Sequence, residues 1–355
     1  MHGYAHTFPA LRGIQGGREY YIAMCPLKLI PQLFLFNDKE LPAELRAQRS
    51  LNESRIPEIC HYILENRSDY VFSAITASID GSVVFEPITG SDGSPLEIGR
   101  LVVPMGSRFV INDGQHRRAA IQAALQEAPE LGDETIGVVF FLDAGLQRSQ
   151  QIFADLNKHA AHPTGSLGIL YDFRDPLACL SRDLADQVPA FKGLTEKERT
   201  QVSAKSIKLF TLNGIYTATG ALLQKHKKME INEDEKKIAF RFWNELCHII
   251  PEWQMASKRV SSTVELRRDY ICVQNVMLHA LGIAGGQLIR EYPGDWSLRL
   301  EALRKVDWSR ANRMWEGRAM TNGKINHNRQ AAELTAVKLR ALLGLPLNPK
   351  EAWLV

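Results

Sequence analysis

No segment of this chain is apolar over the roughly 18 residues that a membrane helix requires. Its longest apolar runs, such as Ile136–Leu142, are far shorter. The sequence opens on Met1-His2-Gly3-Tyr4, with no charged stretch leading into an apolar core, so no secretory signal is expected and the chain reads as cytoplasmic. Cysteine is sparse: Cys25, Cys60, Cys179, Cys247 and Cys272 are scattered and form no C-x-x-C pair. That excludes a disulfide scaffold and argues against structural zinc. His116, Asp155, His159 and His162 lack the compact H-x-x-x-H or carboxylate spacing of a metal site, so none is expected. No G-x-S-x-G stretch and no Cys–His arrangement points to nucleophilic catalysis. Internal repeats and low-complexity linkers are also missing.

What is present is an ordinary globular composition, 45% hydrophobic and 23% charged, in 355 residues. At about 100–200 residues per domain, that length holds two. The net charge of +3 conceals an asymmetry. Residues 1–178 carry 15 Lys/Arg against 21 Asp/Glu, and residues 179–355 carry 28 against 19, giving −6 and +9. A basic half beside an acidic one fits a polyanionic partner, although basic helix faces are also often merely solvated.

Strand-like and helix-like segments alternate in the first half. Tyr20–Met24, Tyr70–Ile79, Leu96–Val103 and Arg108–Ile111 are rich in β-branched and aromatic residues and are bounded by turn signals. Pro42–Leu51 and Ser54–Asn66 have helical spacing, with Ile56, Ile59, Cys60 and Ile63 on one face of the second. Thr135–Leu142 lacks alternation and is expected to be a strand buried on both faces, leading into a helix over Gly145–Lys158. Beyond about residue 175 the pattern is helical: Pro176–Gln187, Ser203–Ala221, Glu233–Ile249, Leu266–Leu281, Trp296–Lys305 and Gln330–Leu343. The expected fold class is α+β, with an α/β domain over residues 1–175 and a basic helical domain over 176–355.

Between the strand Arg108–Ile111 and the helix His116–Gln126 stands Asp113-Gly114-Gln115-His116-Arg117-Arg118. A strand that turns through glycine into a helix leaves backbone N–H groups unpaired at the positive end of the helix dipole, a natural seat for an anion. Arg117 and Arg118 add forked donors that fit phosphate oxygens. Asp113 can cap the helix, orient an arginine or bind a divalent ion, and His116 can donate to phosphate or act as a general acid or base. The plainer alternative makes Asp113 an N-cap and the arginines surface residues. Downstream, Asn157, Lys158 and His159 end the helix after the next strand. They offer a second polar cluster in the same crevice if adjacent strand ends share one, or simply a helix end complemented by cations.

These residues resemble the DGQHR-domain family. The likeness rests on Asp113–Arg118, Phe153–His159 and Ser166–Asp172, and it extends to Ser54–Ala77 and the closing Gly344-Leu345-Pro346-Leu347. The resemblance implies a bacterial protein of the gene clusters that replace a non-bridging DNA phosphate oxygen with sulfur, acting there as a DNA-binding repressor of the modification genes. The module is also similar to the ParB-like nucleotide-binding fold. That similarity implies Asp113, Gly114, Gln115, His116, Arg117 and Arg118 as phosphate-side residues, with Asn157 and Lys158 as a second contact and ATP or another NTP with Mg2+ as ligand. ParB-like domains usually carry Gly-Glu-Arg-Arg at this turn, and Asp-Gly-Gln-His before Arg117 departs from it.

Promoter DNA, in this reading, meets cations of the second half: Lys225, Lys227, Lys228, Lys258, Arg259, Arg267, Arg268, Arg310, Arg313, Arg318, Lys324 and Arg329. Two regions are candidates for reading bases: Leu266–Leu281, and Arg310–Arg329 with Asn312, Asn322, Asn326 and Asn328. Arg and Asn side chains match guanine and adenine edges. A dimer on a two-fold operator is the expected assembly. The competing reading is an NTPase or DNA-nicking component of phage defence, in which Asp113 and His116 do chemistry. A scaffold that binds other members of the modification cluster is the third.

Overall fold

The computed structural model describes residues 4–34, 52–142, 151, 152, 154–156 and 163–353. The expected helix Pro42–Leu51 and most of Gly145–Lys158 lie outside them. The chain forms two compact units, Met1–Ala161 and His162–Val355, and the α+β class holds.

Among the described residues of the first unit, seven strands form one mixed sheet. They are β1 (Ala5–Gln15), β2 (Arg18–Pro26), β3 (Ile75–Asp80), β4 (Val84–Thr89), β5 (Pro95–Pro104), β6 (Arg108–Asp113) and β7 (Thr135–Leu142). Their spatial order is β4-β5-β1-β2-β7-β3-β6, with only β3 and β7 parallel. One face carries Phe8, Ala10, Tyr21, Ala23, Ile75, Ala77, Ile136, Val138 and Phe140, all buried. The helices α1 (Ile30–Leu33), α2 (Ile56–Glu65) and α3 (Gln115–Glu127) share that core through Ile30, Leu33, Cys60, Ile63, Ala120, Ile121 and Ala124. The spacing of α2 anticipates this, since Cys60 and Ile63 are buried and Ile56 and Ile59 pack beside them.

Several expectations are corrected. β7 is not buried on both faces: Ile136, Val138 and Phe140 are buried while Gly137, Val139 and Phe141 are only half-covered, because the helices among the described residues share the core of a single face. The strand expected over Tyr70–Ile79 begins at Ile75. Two strands were not anticipated. β1 contains Pro9 and Gly13, which break a strand pattern, and the residues of β4 are exposed or half-exposed.

The second unit contains α4 (Gly165–Tyr171), α5 (Pro176–Gln187), α6 (Leu212–Leu223), α7 (Glu233–Ile249), α8 (Pro251–Ser257), α9 (Thr263–Asp269), α10 (Asn275–Glu291), α11 (Trp296–Leu300), α12 (Arg329–Leu342) and α13 (Pro349–Ala352). Its core is built around Phe191, Phe210, Phe242, Trp243, Trp253, Trp308 and Trp315. Short strand pairs, Thr195–Glu196 with Phe210–Thr211 and Met320–Thr321 with Lys324–Ile325, tie down the connections.

The helix expected over Leu266–Leu281 is two helices. Tyr270 is extended and bridges to Ser309, and Ile271 donates its N–H to Trp308 O (2.9 Å), so the buried apolar run Ile271, Cys272 and Val273 lies in a non-helical link. Ser203–Ala221 is helical only from Leu212, since Phe210 and Thr211 are drawn into strand pairing. Arg310–Arg329 is a short 3-10 turn and a two-stranded ribbon that precede α12.

α6 and α10 cross in close contact. A Cβ on Gly282 would lie 2.1 Å from Ala218 O, and one on Gly286 would lie 2.6 Å from Leu222 O. Backbone atoms cannot yield as a flexible side chain can. Gly282→Ala is therefore expected to destabilise the protein by about 1–3 kcal/mol or more, read as a lower urea midpoint. Ala at solvent-facing Gly168, in the middle of α4 with open space around its Cβ position, should instead raise it, by about 0.5–1 kcal/mol of relieved mid-helix glycine cost.

Candidate functional site

β6 ends at Asp113, the chain turns at Gly114 with φ +108°, and α3 starts at Gln115 without a side-chain cap. Only glycine adopts that φ without strain. A Cβ there would also meet Ile75 Cγ1 at 3.0 Å and Arg117 Nη2 at 3.2 Å. Asp113 does not cap the helix. Its Oδ2 accepts from Arg117 Nη2 (2.7 Å), so of the roles open to it the aspartate orients an arginine.

The two arginines serve different neighbours. Arg117 Nη1 donates to Ser73 O (2.6 Å), Ala74 O (3.0 Å) and Ser73 Oγ, fastening the start of α3 to the entry of β3. Arg118 is buried. Its Nε donates to Phe34 O (2.9 Å), Nη2 to Pro31 O (3.1 Å) and Nη1 to Gln122 Oε1 (2.5 Å). Burial pushes its pKa down from the ordinary arginine value, but an arginine stays charged. The plain alternative of surface arginines is thus corrected, because both guanidinium groups have internal acceptors. His116 Nε2 accepts the backbone N–H of Asn52 (3.1 Å).

Two buried acceptors flank the turn. Asn112 donates through Nδ2 to Ser78 Oγ (2.8 Å), yet among the described residues its Oδ1 has no partner, nor does Gln115 Oε1. Both seek a donor. The turn therefore offers helix N–H groups, one partly shielded guanidinium and two unpaired amide oxygens. The acceptors of Arg117 and Arg118 are mostly backbone carbonyls, which leave no signature in a sequence.

The shared crevice does not follow from this topology. Thr76, at the start of β3, pairs with Asp113, whereas Ile79, near its end, pairs with Leu142 at the end of β7. β6 runs antiparallel to β3, so β6 and β7 leave the sheet at opposite ends. Asn157, Lys158, His159 and His162 lie outside the described residues.

The cations of the second unit are dispersed. Lys225 bonds Glu230 O (2.8 Å) and pairs with Glu235 (2.9 Å), and Lys227 lies 3.5 Å from Asp172. The backbone N–H of Lys228 reaches Asp175 Oδ1 (3.2 Å). Arg267 donates to Lys208 O (2.6 Å) and Ala204 O (2.8 Å), and Arg310 to Arg268 O (3.0 Å) and Gly323 O (3.2 Å). Arg318 bonds Met314 O (2.9 Å). Arg268 pairs with Asp269 through two bonds of 2.8 Å, and Arg329 with Glu333 at 2.8 Å. Lys258, Arg259, Arg313 and Lys324 are exposed, and their side chains meet no acceptor among the described residues.

The family model described as DndB, DNA-sulfur modification-associated, matches residues 8–346, nearly the whole chain. No curated protein and no solved structure matches it.

The bonding of the two arginines gives a stability test. Arg118→Ala strips donors from buried carbonyls and should cost about 2–3 kcal/mol, at the level of hydrogen bonds to charged groups. Asp113 is half-exposed in its ion pair, so Asp113→Asn should cost under about 1 kcal/mol. Chemical denaturation of the two variants checks the order, and equal effects would remove the buried-strut role of Arg118.

Proposed function

Because the chain belongs to the DndB family of DNA-sulfur modification-associated proteins, we propose that it is a DNA-binding regulator that represses a phosphorothioate modification gene cluster. The observation that carries this reading is the surplus of +9 over residues 179–355, with Lys258, Arg259, Arg313 and Lys324 exposed and available to phosphate. Cations of this kind hold the DNA backbone and set the salt dependence of binding. The Gly114 turn holds phosphate in this reading, a nucleotide first and a DNA phosphate second. The α3 N–H groups supply most of the contact. Arg117 contributes from the side, where Asp113 already holds its Nη2.

Gel-shift titration of the full chain on the promoter fragment of the neighbouring modification genes tests this. A preference over random duplex at moderate salt is expected. Replacing Arg313 and Lys324 together by Gln should weaken binding to any sequence and reduce the salt slope by about one for each phosphate that is no longer neutralised. Equal affinity for promoter and random DNA would end the repressor reading. Phosphate release from ATP with Mg2+, abolished by Asp113→Asn, would replace it with the enzymatic one.

A further inference from the structure

The helical unit contains a cavity of about 520 Å³, lined in part by Arg267 and Arg329, for which the DNA-binding reading offers only contacts to DNA and no small ligand. It lies where α6, α10 and α12 begin. Asn275 meets Thr211 at the start of α6, while Gly282 and Gly286 approach Ala218 and Leu222 further along, so α10 and α6 run parallel. Arg340, late in α12, donates to Gln287, late in α10 (2.8 Å), which makes α12 parallel as well. Three helices thus bring their positive ends to one place. Their first two turns line the cavity through Asn213, Thr217, Val276, His279, Arg329 and Ala332.

The electrostatics of the cavity are one-sided. Thr211 and Asn328 cap α6 and α12 with their side chains, but α10 begins with no side-chain cap. Arg267 also lines the wall, its guanidinium fixed by two backbone carbonyls, and Arg329 stands at the rim, 85% exposed. No Asp or Glu is among the lining residues; Glu333 touches Arg329 but does not line the cavity. His279 is held below its ordinary pKa by burial and by Arg329, with Glu333 opposing, so at neutral pH its ring is uncharged.

The geometry points to a binding site for a small phosphate-bearing molecule of nucleotide size, with its phosphate at the uncapped start of α10 beside Arg267 and Arg329. Two guanidinium groups and an open helix N-terminus match a dianion better than a single carboxylate. The volume lies within the range of small-molecule pockets, about 300–1,000 Å³, and exceeds what one phosphate fills. Asn213, Thr217 and neutral His279 offer donors and acceptors to the remainder of such a ligand. This site is independent of the Gly114 turn, which belongs to the other unit.

Calorimetric titration of the full chain with AMP, adenosine and inorganic phosphate tests the assignment. AMP should bind and adenosine should not. Arg329→Gln, an exposed position whose loss leaves the fold intact, should weaken AMP at least tenfold, and Thr217→Leu, which fills the cavity from an exposed position, should do the same. Three results overturn the inference: no heat from AMP or phosphate at millimolar concentration; AMP binding lost in Arg117→Ala but unchanged in Arg329→Gln, which places the nucleotide at the Gly114 turn; or Arg329→Gln weakening only promoter duplex, which makes Arg329 a DNA contact.

Discussion

The helical unit depends on the approach of α10 to α6 at Gly282 and Gly286, where backbone meets backbone. A glycine in mid-helix costs about 1 kcal/mol relative to alanine, and α10 places Gly282, Gly285 and Gly286 within a short span. Gly285 faces Phe242, with a Cβ position 2.2 Å from its ring. Close packing at all three positions, two against α6 and one against Phe242, offsets that cost. It also fixes orientation: a helix locked to its neighbour at Ala218 and Leu222 cannot slide or reverse, so the two positive ends stay together. With α12 alongside, like poles accumulate at one end, an arrangement that is unfavourable unless something negative or strongly polar answers it. A cavity free of lining acids at that end is where such an answer fits.

In the first unit the same economy of polar groups operates through arginine. Arg117 and Arg118 are adjacent in sequence, but about 100° of helical rotation separates their directions. One reaches the carbonyls that lead into β3, and the other reaches those at α1 and its end. The hexapeptide is therefore a clamp holding β3, α1 and α3 in one geometry, with Gly114 setting the turn. An anion at the α3 terminus would meet backbone N–H groups first, and a guanidinium already shared with Asp113 second.

Much of this was legible in the sequence. The spans of Pro176–Gln187 and Glu233–Ile249 follow from strong N-cap residues, Asp175 and Asn232, ahead of amphipathic runs. The Asp113–Arg118 stretch identified the family and the strand–turn–helix that carries it. Other features were hidden for physical reasons. The link Tyr270–Val273 is a continuous apolar run, which periodicity cannot tell from a buried helix segment, and only the pairing of Tyr270 with Ser309 and of Ile271 with Trp308, distant in the chain, breaks the helix there. The cavity joins the starts of three helices separated by about 120 residues of sequence, from Thr211 to Asn328. No local pattern reports that meeting. Arg267 and Arg329 were conspicuous as charges, but nothing in the sequence says that they line one cavity.

Charge counted from a sequence also overstates what a polyanion can use. In counterion-release terms, a cation contributes when it exchanges its present surroundings for phosphate. Arg267, Arg310 and Arg318 donate to backbone carbonyls, and leaving them would unpair those carbonyls. Arg268 already shares its charge with Asp269 in the open, where an ion pair is weak and can be exchanged at small cost. Lys258, Arg259, Arg313 and Lys324 have nothing to give up among the described residues. The candidate cations between Lys225 and Arg329 are therefore graded, with these four first, the surface ion pairs second and the carbonyl-bound arginines last. Under the proposed function, the grading divides the labour within the helical unit. Its freest cations suit a mobile, sequence-tolerant hold on DNA phosphate, while Arg267, fixed in the cavity wall, suits one phosphate in one position.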